Sequence, residues 1–112
     1  MPSAHLLADI GPCDDNGYLL INGLSAVSVP LNETRRFQRT LQDGSHNFVF
    51  RVTNDGRFAW KARLRLIINR VTYVDEEQAG DSFLFAGEVY NREWQCQIVN
   101  GEVSEFLAVQ PA

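Results

Sequence analysis

Apolar residues recur along this chain at every second position, and no stretch repeats them every third or fourth. The pattern is clearest over 57–68, where Phe58, Trp60, Ala62, Leu64, Leu66 and Ile68 alternate with Arg57, Ala59, Lys61, Arg63, Arg65 and Ile67. Period two in a pleated strand places one set inside and the other outside. The preceding run repeats it, with His46, Phe48, Phe50 and Val52 inward and Asn47, Val49 and Arg51 outward. Turn dipeptides separate such runs about every ten residues: Asn22-Gly23, Asp43-Gly44, Asn54-Asp55-Gly56, Asn91-Arg92 and Asn100-Gly101. Regular turns between Val-, Ile-, Phe- and Trp-rich runs predict an all-β, single-domain antiparallel sandwich or flattened barrel of eight or nine short strands. The expected strands lie near 18–22, 24–29, 34–41, 46–53, 57–68, 71–75, 82–90, 93–99 and 102–109, with residues 1–16 an irregular N-terminal segment.

Loop lengths then suggest partners. A three-residue Asn54-Asp55-Gly56 loop would pair Val52 with Phe58, Phe50 with Trp60 and Phe48 with Ala62. A two-residue Asp43-Gly44 turn would face Leu41 to His46 and Phe37 to Phe50, putting Phe37, Phe50 and Trp60 in one core layer. Asn91-Arg92 would pair Val89 with Trp94, and Asn100-Gly101 would pair Ile98 with Val103 and Trp94 with Leu107. The stretch Leu41–Val52 resembles the loop, Gly-x-His and alternating strand of many accessory β-sandwich modules, which supports the fold and names no ligand.

Charge changes the picture more than composition does. The 112 residues carry a net −4, but residues 35–70 hold nine of the ten basic side chains against Asp43 and Asp55, a net +7. The remainder sets twelve acids against Arg92, a net −11. In the expected register Arg36, Arg51, Lys61, Arg63 and Arg65 share one outward face. Like charges opposed across a ladder destabilise it unless something neutralises them. Three answers are open: carboxylates of this fold, an acidic protein partner or second copy, or nucleic acid. The acidic balance and the commitment of aromatic residues to the core count against nucleic acid.

A second expected surface is apolar. Leu84, Tyr90, Val99 and Phe106 project from the side of the C-terminal meander opposite Phe85, Trp94 and Ile98. Such a patch calls for a cover, either a second copy in a symmetric homodimer or residues 4–10 with Leu6, Leu7 and Ile10. Phe106→Asp would then dissociate the dimer.

Candidate chemistry is sparse. His5 lies near the terminus, and His46 beside a turn reads as a structural, hydrogen-bonded histidine. Nucleophile-elbow, zinc-protease and phosphate-loop signatures are missing, and pairs such as Glu88 with Glu93 are ordinary surface acids. Asp14-Asp15-Asn16 and Asp75-Glu76-Glu77 with Asp81 do not match calcium-loop spacing and read as solvated turns. Cys13 and Cys96 stand alone and read as reduced thiols. We expect no catalytic residue, no cofactor and no metal. The N-terminus lacks an export-signal pattern, Asn32-Glu33-Thr34 means little without export, and no apolar run nears the roughly 20 residues of a membrane helix, so a cytoplasmic protein is expected. The expected function is a small binding or assembly module acting through sheet faces. Alternatives are a carbohydrate- or small-ligand-binding sandwich, with Trp60 and Trp94 as stacking platforms, and a small hydrolase-like enzyme.

Overall fold

A computed structural model describes residues 3–13, 16–30, 33–54, 59–81 and 87–109. Among them nine strands form: β1 (Ala4–Ile10), β2 (Asn16–Ile21), β3 (Leu24–Val29), β4 (Arg35–Leu41), β5 (Gly44–Asn54), β6 (Ala59–Ile68), β7 (Val71–Asp81), β8 (Gly87–Val99) and β9 (Glu102–Val109). They build two fully antiparallel sheets, β4-β1-β6-β7 and β3-β2-β5-β8-β9, packed as a β-sandwich. None of the described residues forms a helix long and apolar enough to cross a membrane.

The first correction is at the N-terminus. Part of the segment expected to be irregular is β1, seated between β4 and β6. Ala4, Leu6, Ala8 and Ile10 are buried, while His5, Leu7 and Asp9 face out. The period was present, but two of its four inward residues are alanines, which favour strands weakly. The strand forms because partners distant in sequence claim both its edges.

The second correction concerns pairing. β4 joins β1 and β6 joins β1 and β7, whereas β5 lies in the other sheet between β2 and β8. The Asp43-Gly44 connection therefore crosses between sheets, and Asp55-Gly56 of the other expected turn lie outside the described residues. The inside–outside assignment of β5 and β6 survives, since Phe48, Phe50, Val52, Ala62, Leu64, Leu66 and Ile68 are all buried. Parity alone cannot choose between the two arrangements, because inward faces of opposing sheets meet just as paired strands do. Phe37 accordingly packs on the core from β4, and Trp60 reaches Phe50 only through Tyr90, at ring-centroid distances of 6.0 and 5.7 Å.

The third correction removes a hairpin. Asn91 and Arg92 do not turn; they pair with Arg51 and Phe50 in the middle of the continuous strand β8. β8–β9 begins as expected, Ile98 opposite Val103, but a bulge follows at Ser104. Cys96 then faces Phe106 and Trp94 faces Ala108, with Leu107 turned outward. A single extra residue exchanges the two faces of the strand beyond it.

That exchange dissolves the proposed apolar patch. Phe106 lies inside, its ring 5.0 Å from Tyr73 and 6.3 Å from Phe48, and Tyr90 packs on Phe50 and Trp60. Only Val99 is outward, 47% exposed, while Leu84 lies outside the described residues. Tyr73 of β7 packs on Phe106, while residues 4–10 form β1 within the four-stranded sheet.

Hydrogen bonds tie one end of the sandwich together. Asn22-Gly23, Asn69-Arg70 and Asn100-Gly101 have positive φ at both residues, the geometry of tight hairpin turns. The Asp43 carboxylate accepts from Asn100 N at 2.8 Å and Gly101 N at 2.9 Å, pinning the β4–β5 crossing to the β8–β9 turn. Asn69 accepts from His5 N at 2.9 Å and donates to Gly101 O at 2.8 Å.

Three substitutions test this register by urea unfolding. Phe50→Ala should cost about 3–5 kcal/mol by opening a core cavity. Phe106→Asp should destabilise the fold by at least about 1.5 kcal/mol, whereas Val99→Asp stays within about 0.5 kcal/mol of the parent. Equal effects at positions 99 and 106 would contradict the bulge.

Candidate functional site

The outer surface of the four-stranded sheet carries a row of alternating charge. In register across β4, β1, β6 and β7 stand Arg36, Asp9, Arg65 and Asp75. Each arginine thus faces a carboxylate, which answers the repulsion that adjacent guanidinium groups would suffer. Arg36 grips Asp9 through Nε at 2.8 Å and through its second nitrogen at 3.2 Å, a two-point fork. This hydrogen bond, with the Asp9 charge, pushes the Arg36 pKa above its ordinary value. Arg65 meets Asp75 at 3.6 Å; two residues along the strand, Arg63 meets Glu77 at 2.7 Å and reaches Asp75 at 3.9 Å.

The arginines expected from sequence are thus mostly brought together, with one exception. Arg51 lies on the outward side of β5 in the other sheet, opposite Tyr18 and Asn91. It lines a separate depression of about 290 Å³ with Tyr18, Leu20, Ser25 and Thr53. Lys61 shares the arginine face but stands opposite Ala79. The acids were the part missed. Asp75 and Glu77, read as solvated turn residues, point outward from β7. The bulge at Tyr73 brings them level with Arg65 and Arg63.

Beside the row is a depression of about 370 Å³ lined by Asp9, Gly11, Thr34, Arg36, Arg63 and Arg65. Its rim depends on Gly11, whose φ is 101° and whose N–H donates to Arg63 O at 2.9 Å. A side chain there would collide with the Glu33 carbonyl, so only glycine lets residues 33–34 close this wall. Three guanidinium groups and one carboxylate line the space, a chemistry suited to carboxylate or phosphate oxygens.

The other candidates carry less. His46 Nε2 donates to Gln42 O at 2.7 Å, and Nδ1 accepts from the Asn22 amide at 3.2 Å, so both ring nitrogens are engaged in the fold. Cys13 and Cys96 are buried free thiols; burial pushes Cys13 up and Cys96 to about 11, away from thiolate chemistry. No cluster of metal-ligating side chains occurs among the described residues. Asp14, Asp15 and the Asp81 side chain lie outside the described set. Trp94 is 4% exposed, and Trp60 lies against Gly80 and Tyr90, so both tryptophans serve the interior.

Between β7 and β8 the Tyr90 hydroxyl donates to Glu76 at 3.2 Å, and Glu76 meets Arg92 at 3.3 Å. Burial, then the Glu76 charge and hydrogen bond, push Tyr90 up to about 12. This cluster fastens the two sheets at their β7–β8 margin.

Comparison with protein-family models, with curated proteins and with solved structures gave no match. The reading of function therefore rests on the surface chemistry.

The Tyr90 geometry predicts an alkaline transition. The unfolded phenol ionises near its ordinary value of 10.0, the folded one at about 12, so the fold keeps this contribution below pH 10 and loses it between 10 and 12. Denaturant titrations across that range should show Tyr90→Phe losing less stability than the parent. Parallel losses would contradict the assignment.

Proposed function

We propose that this protein is a small non-catalytic interaction module that holds an acidic protein segment on the arginine side of its four-stranded sheet. The supporting observation is the 370 Å³ depression where Arg36, Arg63 and Arg65 meet at the margin of edge strand β4. Asp9 occupies two of the five N–H donors of Arg36, leaving three for an incoming carboxylate. The Arg36 side chain is 63% exposed, so these donors are accessible. Acidic protein is favoured over nucleic acid because Asp9, Asp75 and Glu77 interleave with the arginines. A uniform phosphate backbone would meet as much repulsion as attraction, whereas spaced carboxylates on a strand can match the gaps. The free thiols suit a reducing, cytoplasmic setting.

A second reading is a small carboxylate-bearing ligand in the Tyr18–Arg51 depression, where an aromatic face and a guanidinium group adjoin two hydroxyls. The engaged ring nitrogens of His46 lend a hydrolytic reading no support.

The test is fluorescence anisotropy with a labelled, end-blocked octapeptide of alternating Thr and Glu. Binding should weaken as salt rises past about 100 mM. Arg36→Ala and Arg65→Ala should each weaken it about two- to fivefold, and Arg51→Ala, on the opposite sheet, should leave it unchanged. Loss of binding on Arg51→Ala, or preference for labelled duplex DNA over the peptide, would overturn the proposal.

A further inference from the structure

We infer that the acidic segment accepted by β4 is strand β7 of a second copy, so that the protein associates head to tail along its four-stranded sheet. This rests on the reading of β4 as an acceptor of acidic strands and names the partner.

The sandwich has four edge strands, β3, β4, β7 and β9, and they are not equally open. β3 is shifted in register at Leu19/Leu20, and its Ser28 carbonyl accepts a hydrogen bond from Arg35 at 3.0 Å. β9 carries the Ser104 bulge. Bulges and covered backbone groups are the usual means of blunting an edge. β4, by contrast, pairs with β1 without interruption over all seven residues. β7 bulges only near its start, leaving Val74–Asp81 regular against Ala59–Leu66. The two straight edges belong to the same sheet and lie at its opposite margins.

Their charges are complementary. β4 contains Arg35, Arg36 and Arg39 and no acid; β7 contains Asp75, Glu76, Glu77 and Asp81 and no base. Pairing β4 with itself, or β7 with itself, would set like charges across the new ladder. Pairing β4 with β7 sets opposite ones, so charge selects the head-to-tail arrangement.

Direction agrees as well. Each step from β4 to β1 to β6 to β7 is antiparallel, so β4 and β7 run oppositely. A copy laid alongside in the same orientation therefore brings its β7 antiparallel to β4, without rotation. The charge row supplies the register. Arg36, Asp9, Arg65 and Asp75 end with a base at one margin and an acid at the other. Placing Asp75 of one copy opposite Arg36 of the next continues the alternation. Arg35 then stands opposite Glu76. Such a contact is heterologous and does not close on itself, so it yields chains rather than a dimer. In this register the regular ladder spans only Arg35–Phe37 of β4 against Val74–Glu76 of β7, with the Tyr73 bulge opposite Gln38, so the interface is far smaller than the roughly 1,000 Å² of stable complexes, and assembly is weak and concentration-dependent.

Sedimentation velocity of the full chain tests this at concentrations up to about 1 mM, in about 20 mM and about 300 mM salt. At low salt the average mass should climb past dimer without a plateau and fall back at high salt. Arg36→Glu should suppress it. A synthetic peptide of residues 71–81, which needs no fold of its own, should shorten the chains by occupying β4. The same peptide with Asp75→Asn should do so less well. Arg36→Glu mixed with Asp75→Arg should assemble where each alone does not, provided circular dichroism shows both folded; the peptide arm decides the matter otherwise. A plateau at dimer, insensitive to salt and to Arg36→Glu, would overturn the inference. So would a monomer at every concentration that still binds the Thr/Glu octapeptide, which spares the acidic-segment reading. A monomer that binds neither peptide would remove both.

Discussion

The rest of the structure depends on where β1 sits. β4 and β6 each present an outward arginine at the same level, Arg36 and Arg65, and paired directly they would set guanidinium against guanidinium. β1 separates them and places Asp9 between the two. The same strand sends Leu6 and Ile10, both fully buried, into the core. One seven-residue segment thus neutralises the outer face and fills the inner one. Without it β4 would have no place in the sheet, since among the described residues β4 pairs only with β1.

Small irregularities set which side chains the two sheets present to each other. The bulge at Tyr73 does two jobs, bringing Asp75 opposite Arg65 and directing the Tyr73 ring onto Phe106. The bulge at Ser104 sends Phe106 inward to meet it. Charge matching on the outside and aromatic stacking at the sandwich margin are therefore coupled through single inserted residues. A cleanly paired strand at either place would put the carboxylates or the phenylalanine on the wrong face.

This explains how much could be read from the sequence. Strand type and the inward residues of β5 and β6 were legible, because Phe48, Phe50, Leu64 and Leu66 alternate over long runs. Turns with asparagine or glycine at positive φ were legible at Asn22-Gly23 and Asn100-Gly101. Partners were not, because inward parity is the same whether a chain doubles back in its sheet or crosses to the other. β1 was hidden by its alanines and by partners nearly thirty and sixty residues away in sequence. The face of Phe106 was hidden by one bulged residue. At the candidate site Arg36, Lys61, Arg63 and Arg65 were named correctly as one face. Arg51 was misplaced with the false hairpin, and Asp9, Asp75 and Glu77 could not be matched to them before β1 and the Tyr73 bulge were known.

The alternating row also gives the surface its character. On β6, Arg63 and Arg65 each have an acid beside them, whereas at the β4 margin Arg36 retains donors with no further strand of the sheet to meet them. The central claim is that Asp9 is what allows β4 and β6 to share a sheet. The most direct measurement is the stability of Asp9→Asn against salt concentration, followed by urea unfolding. We predict that the variant is markedly less stable than the parent at low salt and recovers part of the difference as salt screens Arg36 from Arg65. A variant as stable as the parent, with the same salt dependence, would contradict the account.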